Sequence, residues 1–103
     1  FVIHAMPLNE EIEMLKTSYK LLNKDGQFFV ECRSIKDSLS LKGEMLSHTE
    51  RIDDHYRRFI ILEELKKRLA QVGFEVTKTI ESNGLAKFEE EDPIIIRISA
   101  IKS

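Results

Sequence analysis

Hydrophobic positions fall into six patterned stretches along this chain. Phe1, Val2 and Ile3 open it as a continuous apolar run too short for a helix, the signature of a buried strand. Pro7 ends that run. Asn9 is the expected N-cap of a following helix, and Glu10, Glu11 and Glu13 suit the positive end of its dipole. Ile12, Leu15, Tyr19 and Leu22 recur at helical spacing and form one apolar stripe. Asn23-Lys24-Asp25-Gly26 is turn chemistry, with a glycine to take positive φ. Residues 27–35 then predict a strand whose Phe28-Phe29-Val30 run implies cover on both faces.

The middle of the chain is less patterned. Residues 37–48 are polar with scattered leucines, which suggests a loop with a short helix; residues 49–58 are highly charged. Periodicity returns with Leu62, Leu65, Leu69 and Val72, a second helical stripe stopped by Gly73. Residues 74–81 are rich in β-branched side chains and predict a strand. A loop over 82–92 ends in Glu89-Glu90-Glu91-Asp92, and 93–101 predict a last strand whose Ile94-Ile95-Ile96 implies burial on both faces. The order is β-α-β-(loop and short helix)-α-β-β. Such alternation predicts an α/β fold with a mostly parallel sheet and right-handed crossovers. The last two strands have no helix between them, so they should pair as an antiparallel hairpin.

Composition narrows the function classes. The chain has 103 residues, 42% hydrophobic and 33% charged, which fits one domain and one core. A net charge of -2 gives no electrostatic footprint for general nucleic-acid binding. No apolar run approaches the roughly 20 residues that cross a bilayer. One cysteine makes neither an internal disulfide nor a cysteine-rich zinc site, so a reducing, cytoplasmic location is expected. His4, His48, His55 and Cys32 lack ligand spacing, and no metal site is expected. The opening run looks like a strand already under way, which points to part of a longer protein.

Several motifs then fall in a telling order. Leu22-Asn23-Lys24-Asp25-Gly26-Gln27 precedes a strand containing Glu31; Glu63-Glu64-Leu65 begins a helix that leads into Val72-Gly73-Phe74-Glu75-Val76; a β-β pair closes the chain. This arrangement resembles the C-terminal half of class I, Rossmann-like S-adenosylmethionine-dependent methyltransferases. Asp25 and Gln27 stand where that family commonly has proline and a second glycine. His55-Tyr56-Arg57-Arg58-Phe59 and Glu91-Asp92-Pro93 resemble motifs of bacterial members before the last helix and the last strand. The family grips its cofactor through a glycine-rich turn. The four glycines here, Gly26, Gly43, Gly73 and Gly84, are all far apart. The resemblance therefore implies that the nucleotide-binding N-terminal half is absent, and that these 103 residues form one partial domain.

The resemblance also assigns residues. His4, just past a strand end, would border the cofactor and acceptor pocket as wall or proton acceptor, and a packed strand-end histidine is the plainer reading. His55 is the second base candidate. Arg57 and Arg58, with Tyr56, would bind an anionic or sugar-phosphate acceptor; otherwise they balance Asp53 and Asp54 in a solvated run. Glu31 and Arg33, two apart, share one side of their strand and either orient a polar substrate or pair with each other. Cys32 faces the opposite side as a buried structural thiol. Residues 85–88 would form part of a lid.

Two functions follow as expectations. One is the substrate-facing part of a methyltransferase that uses S-adenosylmethionine and is inactive alone. The other is an α/β binding or dimerisation module without chemistry. Either way, a truncated layered sheet would bare apolar surface, so a homo-oligomer or pairing with the missing N-terminal half is expected.

Overall fold

The computed structural model describes residues 6–52, 56–87 and 91–103. The opening apolar run, His4, His55, Phe88, Glu89 and Glu90 lie outside the described residues. Helix α1 spans Leu8–Leu21 and helix α2 spans Leu62–Val72. The main sheet is formed by β1 (Gln27–Arg33), β5 (Phe74–Ser82) and β6 (Ile95–Lys102). A second sheet joins β2 (Glu44–Met45), β3 (Glu50–Ile52) and β4 (Tyr56–Arg58), all antiparallel. A 3-10 turn, Ser38–Leu41, precedes it. This is the short helix that the polar stretch suggested.

The main sheet has the order β1-β6-β5, and both of its pairings are antiparallel. Alternation had predicted a mostly parallel sheet. The difference has a simple cause: β6 returns between two strands that run the same way as each other, and so pairs antiparallel with each. The predicted antiparallel pairing of the last two strands is β5 with β6.

Both helices pack on one face. Leu15 of α1 and Leu65 and Leu69 of α2 meet Phe28, Val30 and Cys32 of β1, Phe74 of β5, and Ile96, Ile98 and Ala100 of β6. Burying each large side chain contributes about 1.5–3 kcal/mol. The Phe28 and Phe74 rings stack at 4.9 Å, and Tyr19 meets Phe74 edge-on at 5.1 Å. Phe29 does not share this burial. It points to the other face and is 58% exposed, so β1 alternates and buries chiefly its helix-facing side among the described residues.

Local chemistry explains the element ends. Pro7, not Asn9, is the N-cap of α1, and no side chain caps that end. At its other end the Lys102 ammonium donates to the carbonyls of Tyr19 (2.8 Å) and Leu22 (2.9 Å) and lies 4.7 Å above the Tyr19 ring. A cation there satisfies orphan carbonyls and complements the helix dipole. In the following turn Asp25, not Gly26, takes positive φ (66°). Gly26 is required for space: a Cβ would come within 2.8 Å of the Asn23 carbonyl oxygen. Gly73 ends α2 at φ 122°. In β5, a bulge between Val76 and Lys78 shifts the register by one. Phe74 and Val76 face the helices before it, and Thr79 and Glu81 after it.

Candidate functional site

Strands β1 and β5 end on the same edge of the sheet. Arg33, Ile95 and Ser82 form its last rung, with β6 entering between the two exits. Ligands in open α/β sheets bind outside such strand ends. Three hydrogen bonds shape this edge. The Ser34 N–H donates to the Ile94 carbonyl (2.9 Å), that of Ile60 to the Arg33 carbonyl (2.9 Å), and that of Ile35 to the Ile60 carbonyl (2.9 Å). The last two hold a parallel bridge, Ser34 with Ile60, which moors the segment after β4 to the end of β1.

Asp37 organises the loop. Its carboxylate accepts the Leu39 N–H (3.4 Å) as N-cap of the 3-10 turn and the Ile94 N–H (3.0 Å) at the approach to β6. The Arg33 guanidinium lies 3.7 Å from the same carboxylate. A cavity of about 220 Å³ opens beside them, lined by Arg33, Asp37, Ser38, Lys42, Asp92 and Pro93. A second, of about 210 Å³, shares Arg33, Glu91 and Pro93 and adds Glu31, Cys32 and Ala86. Close by, Glu81 accepts the Ser34 hydroxyl (2.5 Å) and pairs with Lys36 (3.1 Å). The edge thus offers a half-buried guanidinium and an exposed ammonium, in a lining that also holds the carboxylates of Asp37, Glu91 and Asp92.

The sequence candidates separate in space. Glu31 and Arg33 reach this edge but do not pair with each other: Glu31 accepts from Arg97 across the sheet (2.9 Å), and Arg33 is held by Asp37. The charged stretch turns out to be β3 and β4, whose side chains are engaged elsewhere. The Tyr56 hydroxyl donates to Glu50 (2.6 Å). Burial, with that acceptor, pushes the Tyr56 phenol up to about 12. The same hydrogen bond holds Glu50 below its ordinary value. Arg58 is 4% exposed and donates to Glu11 (2.6 Å) and to the Met6 carbonyl (2.8 Å). Arg57 is half-buried and opposes Arg51. Arg51 itself is buried and donates to the carbonyls of Ser40, Ser47, His48 and Glu50. It pins the loop that carries Lys42.

His4 and His55, the two base candidates, lie outside the described residues, as does Phe88 of the expected lid. Leu85 and Ala86 of that lid are half-buried, and Ala86 lines the second cavity. Cys32 is 1% exposed, and burial raises its thiol pKa far above the usual range, as a structural thiol requires. Sequence reasoning missed Asp37 and Lys42. An Asx residue ahead of a short helix was the available signal for Asp37. Nothing local marked Lys42.

No family model matches this chain, and no curated protein matches it in sequence. Solved structures do match in fold. A SAM-dependent methyltransferase from Methanosarcina mazei aligns with 98% of this chain and 57% of its own, at TM-score 0.77 and 12% identity. The glycopeptide N-methyltransferase MtfA aligns with 98% of this chain and 53% of its own, at TM-score 0.64 and 12% identity. An S-adenosylmethionine-dependent methyltransferase from Clostridium acetobutylicum aligns with 97% of this chain and 55% of its own, at TM-score 0.65 and 12% identity. At such identities the likeness establishes fold. The chain shares its fold with part of each of these methyltransferases and spans little more than half the length of the structures it matches.

Proposed function

We propose that this chain is the acceptor-facing portion of an S-adenosylmethionine-dependent methyltransferase whose acceptor is small and anionic, with a phosphate or sugar-phosphate character. The observation that carries the reading is the fold match at TM-score 0.77 across 98% of the chain. The edge cavity supports the acceptor class, because Arg33 and Lys42 line it where β1 ends. A guanidinium fork suits carboxylate or phosphate oxygens.

The described residues do not fit the cofactor. A cradle for its charged and ribosyl groups needs neighbouring glycines whose amides approach the ligand. Here the space a Cβ would occupy is filled by the Asn23 carbonyl at Gly26 and by the Tyr19 ring at Gly73; Gly84 stands alone. No step is therefore assigned to the cofactor within this chain. Its own contribution is to hold the acceptor: Arg33 fixes an anionic oxygen, Lys42 neutralises a second, and Asp37 keeps Arg33 oriented. His4 and His55 remain the base candidates of this reading. A cytoplasmic location fits the single, buried Cys32.

Calorimetric titration tests the division of labour. The 103-residue chain should take up S-adenosylmethionine weakly or not at all, and a polypeptide extended by its upstream coding sequence should bind it. Micromolar binding by the 103-residue chain would contradict the assignment. Inorganic phosphate tests the acceptor class: amide shifts at Ser38 and Lys42 are expected in NMR, and their absence removes the anionic-acceptor reading.

A further inference from the structure

The two cavities at the strand edge share Arg33, Glu91 and Pro93, so they adjoin as one hollow with a lining of mixed charge. Its cations, Arg33 and Lys42, come from β1 and the loop after it; Glu91 and Asp92 come from the approach to β6. Most of the charged groups there are already matched. Arg33 lies 3.7 Å from the Asp37 carboxylate, Glu31 accepts from Arg97 (2.9 Å), and Asp92 accepts the Gly84 N–H (2.6 Å). Two are left over. Lys42 and Glu91 line the same cavity, both exposed, and among the described residues neither has an ion-pair partner. They do not pair with each other. Opposite charges that share a cavity without touching leave room for a ligand that carries the complement of each.

We propose that the acceptor held at this edge is zwitterionic: a small phosphate that also bears a protonated amine. Its anionic end would meet Arg33 and Lys42, and its ammonium would meet Glu91. The inference rests on the reading of this edge as an acceptor site and narrows it. A purely anionic acceptor fits the lining less well, because it sets its charge among three carboxylates, Asp37, Glu91 and Asp92, against two cations. Like charge opposes binding as opposite charge favours it. A purely cationic acceptor meets the converse objection at Arg33 and Lys42. An ammonium group answers the surplus acid, and phosphate oxygens answer the guanidinium fork. The size also suits a small molecule: about 220 Å³ is below the roughly 300 Å³ at which pockets for drug-sized ligands begin. The adjoining cavity, walled in part by Cys32, Ala86 and Ile95, would take the less polar portion of the same molecule.

A matched pair of probes reads this. Propyl phosphate and aminopropyl phosphate differ only by a terminal ammonium group, and calorimetry measures both on the polypeptide extended by its upstream coding sequence. Aminopropyl phosphate should bind about 5-fold more tightly, the strength of a favourable exposed ion pair. Glu91→Gln should bring the two probes to within about twofold of each other. Glu75→Gln makes the same change of charge at the exposed start of β5 and should leave the preference intact. Equal affinity for the two probes overturns the proposal, as does a preference that survives Glu91→Gln or disappears in Glu75→Gln. Equal affinity leaves the anionic-acceptor reading standing, whereas failure of both probes to bind removes that reading and this inference together. Binding by the 103-residue chain that is lost in the longer polypeptide removes both as well, since the remainder of the protein would then fill the hollow. S-adenosylmethionine binding is measured on the same samples. A preference for the amine without cofactor binding keeps the zwitterion site and removes the methyltransferase reading.

Discussion

Arg58 donates a 2.6 Å hydrogen bond to Glu11, and both side chains are almost fully removed from solvent. Arg68 approaches the same carboxylate from α2, at 2.5 Å and 3.2 Å. One acid on α1 therefore ties β4 and α2 together, and two guanidinium groups share it. Burying an ion pair is costly, but removing one member of a buried set costs more, because the survivors lose their compensation.

Glu11→Ala is accordingly expected to destabilise the chain by about 3–5 kcal/mol. Urea unfolding would register this as a lower midpoint with an unchanged slope. A loss under about 1 kcal/mol, the range of an exposed pair, would mean that water reaches the cluster.

Gly73→Ala meets two obstacles at once. The backbone sits at φ 122°, and the new Cβ would lie 2.7 Å from the Tyr19 ring. Strain of about 1–3 kcal/mol is expected, visible as a fall in Tm. Tyr19→Ala should relieve the contact but not the φ strain, so the double variant should recover only part of the loss relative to Tyr19→Ala alone.

Tyr56 and Glu50 predict a pH dependence whose direction follows from their shifts. The phenol is raised to about 12 from an ordinary 10, so its contribution is present below pH 10 and is lost as pH rises toward 12. The carboxyl is lowered from an ordinary 4.5, so its contribution is present above that value and is lost as pH falls through its lowered range. Absorbance titration should show one tyrosine ionising late. Tyr56→Phe should remove that late phase and let Glu50 titrate at higher pH; a late phase that persists would overturn its assignment to Tyr56.

Arg33→Ala in the longer polypeptide should weaken an anionic acceptor by about 10- to 100-fold, the worth of one charge-assisted hydrogen bond. The loss should fall on KM, with kcat little changed, if Arg33 only holds the acceptor. An equal loss for an uncharged acceptor would instead point to disruption of the Asp37 loop.

The helices were legible because each buries a face built from its own nearby residues. Leu15 with Tyr19, and Leu65 with Leu69, already appear at helical spacing. Chain alternation likewise separated Cys32 from Glu31 and Arg33. The candidate site was legible only in part. Arg33 could be placed at a strand end, because the turn and the strand run are local signals. The Lys42 contribution could not, because it depends on Arg51 gathering four carbonyls beneath the loop.

The charged stretch shows the limit most clearly. Residue types alone marked Tyr56, Arg57 and Arg58 as one chemical group. The fold gives Tyr56 to Glu50 and Arg58 to Glu11, and the Glu11–Arg58 pair joins residues 47 positions apart. The sequence by itself determined the two helix stripes, the strands at β1, β5 and β6, the stop at Gly73 and the antiparallel closing pair, but not β2, β3 and β4, since the former arise from backbone sterics and side-chain periodicity within a few residues. Only the tertiary structure decided that β6 lies between β1 and β5, which face of β1 packs against the helices, and which arginine remains at the strand edge. Those outcomes depend on partners brought together across the chain, where charge and space are shared among residues that no local pattern connects.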